Sequence, residues 1–130
     1  MLPPADTAFL EERRIQYTVH QEGGMVCVVF PDWRVPPGYQ QEKADLLVRL
    51  PPGYPDMPPD MWWFDPALIR LDGTRAPATE VTEQHLGRQW QRWSRHFPNA
   101  NSWRSGVDGL ESYLTRIRSN VASFATRAAA

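Results

Sequence analysis

The sequence predicts an α+β domain: a short N-terminal helix, a four-stranded antiparallel meander, a proline-rich corner and a C-terminal helix. Three observations predict it. Apolar residues alternate with polar ones in the first half, the spacing of half-buried strands. Leu110, Leu114, Ile117, Val121 and Phe124 recur at +3 and +4 near the end, the spacing of one helical face. Strands grouped together with helices at the ends, instead of alternating with them, belong to the α+β class. The 130 residues fit one domain, and no internal repeat or boundary divides them, so residues 1–130 are taken as a single unit.

Ala5 to Arg14 reads as a short helix, with Asp6 available as a cap and Phe9 and Leu10 as its apolar face. Ile15, Tyr17 and Val19 alternate as a first strand. Gly23-Gly24 signals a turn, and Met25 to Phe30, rich in β-branched residues, is the second strand of a hairpin. Pro31 to Gln41 reads as a loop anchored by Trp33. Ala44, Leu46, Val48 and Leu50 line one face of a third strand. The run from Pro51 to Asp60 holds too many prolines for any helix, and Met61 to Phe64 follows as a short fourth strand. Leu68 to Ala78 reads as irregular, with a turn at Asp72-Gly73. Val81 to Phe97 is ambiguous: Leu86, Trp90, Trp93 and Phe97 have helical spacing, which Gly87 interrupts. The last helix begins after Ser105, with Asp108 three residues later in a capping-box-like position, and carries Val107 at the head of its stripe.

Composition narrows the function. A single cysteine, Cys27, excludes an intramolecular disulfide and a four-cysteine zinc site. The longest apolar run, Met25 to Phe30, is far short of the ~20 residues of a membrane helix. No basic-then-apolar start resembles a secretion signal, so a cytoplasmic protein is expected. The net charge of −1 gives no bulk attraction to nucleic acid or membranes. Only Lys43 stands against thirteen arginines; a GC-rich genome or a surface kept poor in modifiable amines would each give this ratio.

The order of elements, with the corner Tyr54-Pro55-Asp56-Met57-Pro58-Pro59 followed by Met61-Trp62-Trp63-Phe64, resembles the ubiquitin-conjugating enzyme (UBC) fold. Leu46 to Pro51 is similar to the strand leading into that family's corner, and Trp103 falls where the family has a tryptophan before its next helix. The resemblance is closest to the bacterial branch called prokaryotic family E. Its motifs correspond to Leu50–Asp56 with one additional proline, to Arg92–His96 and to Gly106–Leu110. It covers about residues 5 to 125.

The resemblance implies a thioester-forming cysteine after the fourth strand and about ten residues before Trp103. That place holds Trp93-Ser94-Arg95-His96, with no cysteine. Cys27 lies before the corner, in the second strand, and reads as a small buried apolar residue. The candidates for chemistry are therefore Ser94, which could carry an oxyester, and His96, as base or transient nucleophile, with His85 as a supporting group. Each histidine reads equally as a surface or interface residue. A zinc site from His85, His96 and Glu83 has no recognised ligand spacing, and no metal or cofactor is expected.

Trp90, Arg92, Trp93, Arg95 and Trp103 form an arginine–tryptophan segment, with no acid between His85 and Val107. This is the composition of interface hot spots, of single-stranded nucleic-acid binders, and equally of a core flank with indoles under arginine stems. Nucleic acid is not the expected partner, since no nucleic-acid motif appears. The resemblance implies instead a non-canonical component of a bacterial ubiquitin-related pathway. Such a pseudoenzyme binds a ubiquitin-like protein, possibly of multi-ubiquitin type, or a ubiquitin-activating-like protein, or both, without thioester chemistry. An active transferase using Ser94 or His96 is the alternative.

Overall fold

The structure is a computed structural model and describes residues 2–126. Helix α1 (Pro4–Glu12) is followed by strands β1 (Thr18–Glu22), β2 (Met25–Arg34), β3 (Lys43–Leu50), β4 (Trp62–Asp65), β5 (Thr82–His85) and β6 (Arg88–Trp93), then helix α2 (Leu110–Ser123). All six strands form one antiparallel sheet in the order β1-β2-β3-β4-β6-β5. The α+β class stands, but among the described residues the sheet has six strands, not four.

The two additional strands come from the ambiguous segment. Leu86 and Gly87 both have positive φ, 54° and 76°, which makes the two-residue turn that matches the twist of a hairpin. In a strand, Trp90 and Trp93 stand three residues apart and so face opposite sides of the sheet. The helical spacing of Leu86, Trp90, Trp93 and Phe97 was coincidence between two faces. Gly23-Gly24 makes the same kind of turn between β1 and β2, with φ of 61° and 77°. β1 starts at Thr18; Ile15 and Tyr17 pack against the core as its approach segment. β2 runs on through Pro31 to Arg34, where a loop was expected, because a bulge between Phe30 and Trp33 absorbs the proline.

Odd and even positions of each strand separate two apolar layers. Phe30, Leu46, Val48, Trp62, Phe64 and Trp93 pack with Leu10 of α1 and with Leu110, Tyr113, Ile117 and Val121 of α2. The opposite face carries a smaller layer of Cys27, Val29, Leu47, Trp63 and Trp90. The hairpin β5–β6 closes over this outer face: Leu86 packs on it, and the Leu86 N–H donates to Glu22 Oε2 of β1 at 2.9 Å. The sheet is thus curled enough for its hairpin tip to reach β1, at the far edge.

Two expected caps are corrected. Asp6 does not cap α1; it is buried, and accepts from the Tyr54 hydroxyl at 2.6 Å and from the Leu110 N–H at 3.0 Å, so it caps α2. Ser105 does not start α2. Its hydroxyl donates to Asp56 of the proline corner, and Asp108 accepts the Arg104 N–H at 2.7 Å. The helix begins at Leu110, where the Ser112 hydroxyl accepts the Gly109 N–H at 3.2 Å, and Val107 is left outside it, exposed.

Candidate functional site

The proline corner is a rigid platform because three side-chain hydrogen bonds hold it. Tyr54 is tied to α1 through Asp6, the Trp103 indole N–H donates to the Pro55 carbonyl at 2.8 Å, and Ser105 holds Asp56. Past the corner, the Met61 N–H donates to the Arg95 carbonyl at 3.1 Å, which aligns residues 94–96 alongside residues 60–61. The Tyr113 hydroxyl of α2 donates to the Met61 carbonyl at 2.8 Å and fixes the same strip from below.

His96 sits on this strip with its ring 61% exposed, and its Nδ1 lies 2.6 Å from Asp60 Oδ1. Its carbonyl accepts from Arg116, whose guanidinium stacks on Phe97 at 4.2 Å. An aspartate on Nδ1 holds the histidine tautomer whose Nε2 is an acceptor, the form a general base needs. Asp60 had no sequence signal, since 36 residues separate it from His96 and it reads there as a turn residue. Ser94 is placed differently. Its hydroxyl accepts from Arg92 Nε at 3.0 Å, its N–H donates to the Ala78 carbonyl, and no base holds its proton among the described residues.

His85 does not join them. It lies at the tip of the β5–β6 hairpin, and the six residues from its partner Arg88 to Ser94 span about 20 Å of strand. There the ring is only 12% exposed, edge-on to Trp63, with Nδ1 3.4 Å from Glu22 and Nε2 3.2 Å from Glu83. Partial burial opposes ionisation of Glu83. Hydrogen bonds from Trp63, His85 and Arg92 outweigh it and hold its carboxyl below the usual glutamate range. Glu22 is lowered too, chiefly by the Leu86 N–H. Among the described residues no three metal-ligating side chains cluster, and His85 with Glu83 stands apart from His96.

Of the readings of the arginine–tryptophan segment, the arrangement of the indoles matches a core flank. Trp90, Trp93 and Trp103 are buried, Trp93 and Trp103 in the helix-side core and Trp90 in the outer layer, so none offers a face for a base or a partner. Arg95 is a structural clamp. Its guanidinium lies between Trp93 and Phe124, 4.9 and 4.8 Å from their rings, and donates to Asn120 and to the Pro77 carbonyl. Burial lowers its pKa. Arg92 is held by Glu83 at 2.9 Å. Cys27, the third residue of β2, is 0% exposed.

Exposed apolar side chains stand elsewhere. Met57 on the corner and Val107 on the loop before α2 are 57% and 66% exposed, on the two loops joined by Ser105–Asp56 and Trp103–Pro55. Beside them a cavity of about 310 Å³ opens between Pro3, Phe9, Pro55 and Val107.

The family model of prokaryotic E2 family E matches residues 2–123. The chain belongs to this family. The family thus brings a two-helix, curled-sheet chain into the ubiquitin-conjugating-like group. HSPB1-associated protein 1 of Mus musculus and of Rattus norvegicus are each 31% identical over 93 residues, covering 68% of this chain. The chain spans only 18% of the length of these curated relatives. No solved structure matches it. Among the described residues, no helix of this family member is long and apolar enough to cross a membrane.

Proposed function

We propose that this family E member is a non-catalytic component of a bacterial ubiquitin-related pathway, which binds a ubiquitin-like protein, an activating-enzyme partner, or both, without thioester chemistry. The observation that carries the reading is the state of its one thiol: Cys27 is sealed within a strand, while the segment beside the corner holds serine, arginine and histidine. A thiolate that must meet a macromolecular substrate needs solvent access. The binding surface in this reading is the pair of tethered loops carrying Met57 and Val107. Its anchors are made before any partner arrives, so little ordering entropy is lost on binding. The experiment is a titration of the chain with the ubiquitin-like protein and with the activating partner. Met57→Asp and Val107→Asp weaken the complex at least ~10-fold, the loss of about 1.4 kcal/mol. Ser94→Ala and His96→Gln leave it intact. Absence of binding to both proteins would sink the reading.

The Asp60–His96 pair favours a second reading, a transferase in which His96 acts as base or transient nucleophile or activates Ser94. The Ser94 hydroxyl is engaged by Arg92, so this chemistry requires that contact to break first. An adduct on this chain that His96→Gln abolishes would be its signature.

A further inference from the structure

We propose that the β5–β6 hairpin is a proton-dependent flap: protonated His85 bridges β1 to β5 and holds the hairpin tip over the outer face of the sheet, and loss of that proton loosens the tip from β1. Two carboxylates face the ring, one from each edge of the sheet. Glu22 of β1 lies on Nδ1 and Glu83 of β5 on Nε2, at 3.4 and 3.2 Å. A neutral imidazole carries one N–H and no charge, so hydrogen-bonded to Glu83 through Nε2 it turns a lone pair on Glu22; only the imidazolium both donates to Glu83 and ion-pairs with Glu22. The ring is 12% exposed, so water does not readily fill in for the missing donor.

The surroundings keep both carboxylates ionised. Glu22 also accepts the Leu86 N–H and lies 4.0 Å from Arg49 of β3. Glu83 also accepts from Arg92 of β6 and from the Trp63 indole of β4. Arg88, the register partner of His85, is taken up by Asp45 and Asp65 and cannot replace the proton. His20 shares the outer face of β1, paired across from Cys27, with its ring on Thr18.

The unequal attachment of the two carboxylates gives the switch its direction. Glu83 belongs to the same hairpin as His85 and travels with it, whereas Glu22 sits on β1, at the opposite edge of the sheet. A ring protonated only on Nε2 keeps Glu83 and sets a lone pair against Glu22, so of the two contacts joining the edges one fails and the Leu86 N–H on Glu22 holds the tip alone. What is uncovered is the layer under Leu86, which contains Cys27.

The test uses Cys27, the only thiol of the chain, as reporter. Its labelling by a neutral maleimide is measured natively and in denaturant at each pH, and the ratio removes the thiolate fraction. Between about pH 5.5 and pH 8, the range in which histidines change charge, native protection should fall about tenfold, the size of one charge-assisted hydrogen bond. His20→Gln and His96→Gln keep that fall, and His85→Gln removes it. Protection that stays flat across the range, or falls equally in His85→Gln, overturns the proposal. If His85→Gln does not fold, the wild-type ring nitrogens are followed by ¹⁵N NMR. Both should be protonated at the low end, and loss of one proton should shift the Leu86 amide while the Leu110 amide, capped by Asp6, stays in place. A ring already singly protonated at the low end, or an unmoved Leu86 amide, overturns it as well.

Discussion

Trp62 and Trp63 are neighbours in β4, yet they belong to two differently built halves of the molecule. Trp62 points to the helix side, stacked on Trp93 and edge-on to Tyr113, and its indole N–H has no partner among the described residues. Trp63 points outward under the hairpin, and its N–H donates to Glu83 at 2.9 Å. The helix side is sealed by apolar area; the outer side is a small apolar layer closed by a rim of Arg49, Glu22, His85, Glu83 and Arg92. Burial of apolar surface is indifferent to pH and weakly sensitive to salt, whereas a rim of charges responds to both. The same sheet therefore has one permanent face and one conditional face, and the platform of the proline corner stands on the permanent one.

The largest effect breaks the permanent face. Trp62→Ala should cost about 3–5 kcal/mol in urea unfolding, with the same loss at low and high salt. Next, Asp6→Ala leaves the Tyr54 hydroxyl and the Leu110 N–H without their acceptor, and should cost about 3 kcal/mol. The loss would extend to binding at the corner, since Tyr54 and α2 lose their common anchor. A cost under 1 kcal/mol would show that the corner stands without it.

Phenylalanine at the two tryptophans sharpens the contrast between faces. Trp63→Phe removes a donor from Glu83 and should cost about 1 kcal/mol more than Trp62→Phe removes beyond its volume. The outer face should also be the acid-sensitive one. Glu83 is lowered on folding, so its contribution is present above the ordinary carboxyl value of 4.5 and is lost as pH falls through its lower folded value. Unfolding followed from pH 6 to pH 3 should therefore show a loss of stability, part of which Glu83→Gln removes. The smallest effect belongs to neither face. Arg13 and Glu111 join α1 to α2 with side chains 60% and 62% exposed, and Arg13→Ala should change stability by less than about 0.5 kcal/mol.

Much of the permanent face was legible in the sequence. Leu46, Val48 and Leu50 alternate strictly, and Leu110, Ile117 and Val121 keep helical spacing, because each faces one apolar environment throughout. The hairpin of β5 and β6 was not. Both of its faces are buried at Trp90 and Trp93, so the period of two disappears and a false helical spacing remains. Asp6 looks like a local cap because sequence shows only neighbours; the N–H it caps is 104 residues away. The same limit hid Asp60 beside His96 and Glu22 beside His85. The family came through on the corner and on Trp103, whose roles are fixed by local chain geometry, and the matching family model bears it out.

The central claim is that a member of a ubiquitin-conjugating-like family works with its only thiol sealed. The direct measurement is the intact mass of this chain after incubation with its activating enzyme, ATP and the ubiquitin-like protein, under conditions where the activating enzyme is itself charged. The account predicts an unchanged mass for this chain together with a non-covalent complex in the native state. A mass increase by one ubiquitin-like protein would contradict it, and its loss in Ser94→Ala or His96→Gln would name the group that carries the bond.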